Sequence, residues 1–102
     1  MQIKTHVDNN KVKIALSGRF DFNSHRHFRD AYEQALQTPH VREIGIDLGA
    51  VEYLDSSALG LLLLLREKAT AVNMEVTLTN CRGVVQQVLE VANFNKLFTI
   101  RG

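Results

Sequence analysis

Two hydrophobic periods take turns along this chain, and that alternation constrains its fold more than any other feature. Val12, Ile14 and Leu16 alternate with Lys11, Lys13 and Ala15, which predicts a strand with one buried face. Ile3 and Val7 before it predict a weaker edge strand, joined through a hairpin turn at Asp8-Asn9-Asn10. Gly18 breaks the pattern and is expected to end the second strand. Phe28, Ala31, Tyr32, Ala35 and Leu36 then take the spacing of an amphipathic helix. Asn23 or Ser24 is the expected cap, and Thr38-Pro39 the end. Ile44, Ile46 and Leu48 return to period two, and a short apolar stretch (Val51, Tyr53, Leu54) leads into Asp55-Ser56-Ser57. A helix to about Ala71 follows, then a strand at Met74, Val76 and Leu78. A shorter helix at Val84, Val85, Val88, Leu89 and Ala92 stops at Asn93, and Leu97, Phe98 and Ile100 predict a last strand. The order is β-β-α-β-α-β-α-β. Strands that alternate with helices imply βαβ units, hence an α/β fold with a mixed, mostly parallel sheet of four to five strands and three to four helices. The first hairpin adds the antiparallel edge.

Length and charge narrow the function. The chain has 102 residues, one proline and no repeat, which predicts a single domain over residues 1–102. Twelve basic against 11 acidic side chains leave a net charge of +1, which argues against a nucleic-acid binder working by bulk charge. The longest apolar run, residues 58–65, falls far short of the roughly 20 residues a bilayer span needs, so no membrane partner is expected. The polar first ten residues do not resemble a signal peptide, and a cytoplasmic location is expected. Cys81 is the only cysteine, so paired-cysteine zinc and redox sites are excluded. It precedes a helix, where a thiol pKa can fall; a buried structural thiol is the alternative.

The most informative stretch starts at Asp55. Asp55, Ser56 and Ser57 are all good N-cap types, so one reading is a doubly insured cap. The other is a modification site, because the unpaired N–H groups and partial positive charge of a helix start tolerate a phosphate. In the helix that follows, Ala58, Leu61, Leu62, Leu65 and Ala69 supply one apolar stripe, and Leu59, Leu63 and Leu64 are left over. These three either edge the stripe or form a docking surface.

The run DLGAVEYLDSSALGLLLLLRE (residues 47–67) resembles the signature of STAS domains, specifically bacterial anti-sigma factor antagonists. GRFDF (residues 18–22) looks like the family's stretch after its second strand, and NFNKLFTI (residues 93–100) is similar to its C-terminal pattern. The wording looks most like stand-alone members from Gram-negative bacteria linked to motility and biofilm control. The resemblance implies that Ser56 is a phosphate acceptor, with the acidic Asp55 before it and Asp21 near it. It implies a partner-binding surface that includes Asp21, Asp55, Ser56, Ser57, Leu59 and Leu63. The unphosphorylated form is then expected to bind an anti-sigma factor, itself a serine kinase, and so free a sigma factor. Phosphorylation would abolish that binding and a PP2C-type phosphatase would restore it. Two departures are Ala58, where many members carry glycine, and Arg19, where many carry an acidic residue. A constitutive STAS scaffold, or a subunit of a stressosome-like or transport assembly, is the alternative.

Other features give no chemistry. His25 and His27 lie two apart on a helix and point to different faces, so no shared metal is expected. Asp47 and Asp55 have no partnered nucleophile, no GxSxG elbow is present, and Gly45, Gly49 and Gly60 lack phosphate-loop spacing. Arg66, Glu67 and Lys68 read as a solvated helix end, and the same reading is preferred for Arg26, Arg29 and Arg42. Neither enzymatic activity nor a cofactor is expected.

Overall fold

A computed structural model of the chain describes residues 1–101. Strand β1 (Gln2–Asp8) and β2 (Lys11–Phe20) form an antiparallel hairpin closed by Asn9 and Asn10. Asn9 takes φ 54°, a left-handed conformation that asparagine tolerates. Then follow α1 (His25–Gln37), β3 (Glu43–Leu54), α2 (Ser56–Ala71), β4 (Glu75–Thr79), α3 (Gly83–Val91) and β5 (Thr99–Arg101), with 3-10 turns at Phe22–Ser24 and Phe94–Lys96. The sheet runs β1-β2-β3-β4-β5, with β2 to β5 parallel. The element order and the mixed five-stranded sheet are those the hydrophobic periods predict.

Each crossover moves one strand further in the same direction. With right-handed connections, all three helices therefore cover one face of the sheet. Toward them point Val12, Ile14, Leu16, Ile44, Ile46, Leu48, Val76 and Leu78, all buried. Under α1, Phe20, Phe28 and Tyr32 stack in sequence, with ring centroids 4.8 and 5.4 Å apart. The other sheet face stays polar. There Lys11 pairs with Glu43 at 3.3 Å, Lys13 with Asp47 at 3.5 Å, and Thr77 donates to Glu43 at 2.9 Å. Gly45 makes room for this. A Cβ there would come within 2.8 Å of Lys11 Cε, so the end of the lysine would have to shift.

Three boundaries differ from the expectation. Gly18 does not end β2; at φ +97° it sits beside two register shifts and the strand continues to Phe20. The extra residues lie in β3, since Ala15 pairs with Asp47 but Phe20 with Leu54. β3 thus runs unbroken through Val51 and Tyr53 to Leu54, where a separate apolar stretch was expected. Bulges bend and twist a strand, and here they carry its end over toward the helical layer. At the far end, Leu97 and Phe98 precede β5: the 3-10 turn Phe94–Lys96 stacks Phe94 on Phe98 at 5.2 Å and delays the strand. Asn93, at φ 61°, does end α3 in the left-handed conformation expected of a helix stop.

Candidate functional site

The site is the junction where β3 hands over to α2. Asp55 is extended (φ −105°, ψ −178°) and caps the helix, its Oδ1 accepting from the Ala58 amide at 2.9 Å. The Ser57 hydroxyl donates to the same oxygen at 2.6 Å. The Asp55 amide donates to the Phe20 carbonyl at 3.3 Å, tying the helix start to the end of β2. The Ser57 hydroxyl bond is the main reason the Asp55 carboxyl lies below the usual carboxylate range; partial burial opposes this, and the amides of Ala58, Phe22 and Ser57 add to it. The cap is therefore Asp55 alone. Ser57 serves Asp55 rather than the backbone, which corrects the picture of a doubly insured cap.

Ser56 is the first helical residue and is exposed. Its hydroxyl takes part in none of the hydrogen bonds found among the described residues. On the carboxylate next to it, Oδ1 is engaged by both Ser57 and Ala58. The hydroxyl stands exposed at the positive end of a 16-residue helix.

Asp21 caps the short turn after β2, accepting from the Asn23 amide at 3.1 Å. Arg19 Nε lies 3.8 Å from its carboxylate, and the Arg19 guanidinium stacks 4.3 Å from the Tyr53 ring centroid. Arg19 and Tyr53 are register partners on β2 and β3, so the sheet itself sets this stack. The arginine that departs from the family pattern is thus neutralised locally by Asp21. Ser24, an expected cap of α1, instead donates to the Arg19 carbonyl at 3.1 Å; it holds the turn, and α1 starts without a side-chain cap.

The leftover leucines divide. Leu59 is half-buried against the core, while Leu63 and Leu64 remain 39% and 38% exposed. Leu59 lines a shallow apolar hollow with Val88, Val91 and Ala92 of α3, and Val91 is the most exposed apolar side chain of that helix. Val88, Val91, Tyr53 and Phe22 were not among the contact residues expected from sequence. Phe22, 70% exposed, could have been found as a large apolar residue outside either period; Val91 could not, because its helix offers several equivalent faces.

Elsewhere, Cys81 is buried, and burial together with the Asp47 charge pushes its thiol up to about 11, so the helix start does not activate it. Arg66 is no free solvated end: its Nε donates to the Leu97 carbonyl at 2.6 Å. Lys68 pairs with Glu33 at 3.5 Å.

Known proteins sort with this arrangement. A family model described as "Mlab, STAS domain" matches residues 3–100. A STAS-domain containing protein of Pseudomonas aeruginosa (strain UCBPP-PA14) is 47% identical over 94 residues, which is 92% of this chain and 91% of that protein. An anti-sigma factor antagonist from Mycobacterium paratuberculosis superposes with TM-score 0.86 at 20% identity, covering 98% of this chain and 84% of the other. The anti-sigma factor antagonist SpoIIAA of Bacillus, solved in unphosphorylated and phosphorylated forms, gives TM-scores of 0.76 and 0.75. Identities there are 22% and 21%, with 97% of this chain covered in both and 86% and 90% of the other. At that level of identity the likeness to the solved structures is one of fold.

Proposed function

This chain belongs to the STAS domain family, and from that membership we propose that it is a cytoplasmic anti-sigma factor antagonist switched by phosphate on Ser56. Unphosphorylated, it binds an anti-sigma factor that is itself a serine kinase, and so frees a sigma factor. The kinase modifies Ser56 and is released, and a PP2C-type phosphatase resets the cycle. The protein acts by binding, and Asp21, Asp55, Ser56, Ser57, Leu59 and Leu63 form the contact.

One observation carries this reading: the exposed, unengaged Ser56 hydroxyl stands beside a capping carboxylate that Ser57 and Ala58 already occupy. A kinase can reach the hydroxyl without dismantling the cap. A phosphoserine adds about −1.5 to −2 charges at neutral pH. At a helix start that charge is favourable by roughly 0.3–1 kcal/mol, and the ionised Asp55 offsets part of it. The fold is therefore indifferent to the modification. A dianion pressed into a protein contact without cationic partners costs several kcal/mol, and each ~1.4 kcal/mol is tenfold in affinity. The blockade is local, electrostatic and steric. Exposed Leu63 beside half-buried Leu59 supplies the apolar part of the grip.

The test combines modification with binding. Incubation with native cell extract and ATP, followed by intact-mass measurement and peptide mapping, is expected to place one phosphate on Ser56 and none in Ser56→Ala. Ser56→Ala should still pull down the anti-sigma factor. Ser56→Asp should lose at least about a hundredfold in affinity while melting as the wild type does. A Ser56→Asp protein that binds normally, or that melts early, defeats the mechanism.

A further inference from the structure

We propose that the first turns of α1 and the turn before them hold a short acidic segment of another polypeptide, gripped by Arg26 and Arg29 and seated on the Phe22 ring. This goes beyond the Ser56 switch and does not depend on it. Phe22, Asn23, His25, Arg26 and Arg29 line a hollow of about 420 Å³. Arg29 lies four residues after His25 and three after Arg26, so the three share one side of the helix. Phe22 is 70% exposed and tilts against the His25 ring at 6.2 Å, which leaves an apolar face open to solvent beside the two guanidinium groups.

Solvated charge alone does not account for the two arginines. Lys11, Lys13, Arg19 and Lys68 stand in ion pairs, and Arg66 and Arg82 donate to main-chain carbonyls. Arg26 and Arg29 are exposed and do neither among the described residues. Yet each has a carboxylate four residues on, Asp30 after Arg26 and Glu33 after Arg29, the spacing at which charges pair along a helix. Glu33 turns instead to Lys68 of α2, at 3.5 Å. The first turn of α1 carries Arg26 and no acidic residue, against the preference that its dipole sets. Cations so placed do not serve the fold, and both guanidinium groups keep their donors for a visitor.

The chemistry of the hollow names its occupant. A guanidinium holds a carboxylate through two parallel N–H···O bonds, and the Phe22 ring takes an apolar or aromatic side chain. Acidic side chains interleaved with apolar ones meet both demands. Carboxylates also bound the patch along the chain, Asp21 before Phe22 and Asp30 and Glu33 after the arginines. An extended polyanion, whether a nucleic-acid strand or an anionic lipid surface, would lay its next charges on those carboxylates. A segment with one or two acidic residues ends before them. The hollow lies at the same end of the sheet as Ser56, since the Phe20 carbonyl just before it accepts from the Asp55 amide at 3.3 Å. Ser56 itself lines no part of it.

An NMR titration of the isotope-labelled chain tests this. The probe is a short synthetic peptide in which paired glutamates alternate with leucine around one tryptophan. The amides of Phe22 to Arg29 are expected to shift saturably, while those around Arg42, an exposed arginine before the start of β3, stay in place. Arg26→Gln combined with Arg29→Gln should weaken the peptide about tenfold or more and melt no lower than the wild type. Phe22→Ala, at an exposed position, removes the apolar seat and should weaken it severalfold. Arg42→Gln should bind as the wild type does. No kinase or phosphatase enters the measurement, so its outcome stands apart from that of the Ser56 switch. Shifts that fail to saturate, or that spread equally to Arg42, overturn the proposal. So does a double glutamine variant that binds normally or melts early, a Phe22→Ala protein that binds normally, or a lysine version of the peptide that binds as well. Tighter binding of oligouridylate, or of phosphatidylglycerol vesicles, by the same residues overturns it in favour of a nucleic acid or a lipid surface.

Discussion

At Asp55 a single carboxylate oxygen serves both a backbone amide and a side-chain hydroxyl, and this makes the start of α2 sensitive to acid. The folded-state pKa lies below the ordinary value of 3.8, first because of Ser57. The associated stability is therefore fully present above that ordinary value and disappears as pH falls through the lower, folded one. Asp55→Ala should cost about 1 kcal/mol at neutral pH, the usual worth of an N-cap. The gap between variant and wild type should close in strong acid, as read by urea unfolding at both pH values. Ser57→Ala should move the Asp55 carboxyl back up in an NMR titration without abolishing the cap. Tyr32 is a different case. Its ring is fully buried, its hydroxyl has no hydrogen-bond partner among the described residues, and burial raises its pKa. Tyr32→Phe removes an unsatisfied polar atom and keeps the ring, so thermal unfolding should show equal or higher stability, by up to ~1 kcal/mol. Residue roles of this kind were only partly legible beforehand. A run of three cap formers says that a helix starts there, but three side chains with the same local preference cannot reveal which one the backbone uses. That depends on where the Phe20 carbonyl fixes the chain, a contact 35 positions away along the sequence, between residues 20 and 55.

Along α2 the leucines divide by face. Leu62 and Leu65 are fully buried, while Leu63 and Leu64 lie more than a third exposed. Leu62→Ala or Leu65→Ala should cost 2–5 kcal/mol in chemical denaturation, as core truncations do. Leu63→Gln should stay within ~0.5 kcal/mol of wild type, yet weaken capture of the partner proposed above. A Leu63→Gln protein that loses stability would make this leucine part of the core and remove it from the contact. Element types were legible because buried faces repeat with the period of their backbone. Boundaries were not, wherever tertiary contacts override local preference. Gly18 looked like an end because glycine weakens strands, yet here it is the residue that can adopt φ +97° beside a register shift. The length of β3 was equally hidden, since the bulges that carry it on to Leu54 exist only in its pairing with β2.

For the molecule as a whole, stability rests on the layer between sheet and helices rather than on charge. The ion pairs found among the described residues, 3.3–3.8 Å long, each have a solvent-exposed cation, and their carboxylates are partly or fully exposed. Such pairs contribute roughly 0–1 kcal/mol each and are screened by salt. With a net charge of only +1, raising ionic strength should shift the melting midpoint by no more than a few degrees. A large loss of stability in salt would mean that the polar sheet face matters far more than its exposure suggests. The helices sit on one side only, and this gives the molecule a front and a back for spectroscopy. A dye attached at position 13, on the back, should report nothing of events at the helix surface. The same dye at position 63, on the front, should change colour or brightness as a visitor arrives there. The chain thereby carries its own internal control: two labelling points on one small body, one blind and one sighted.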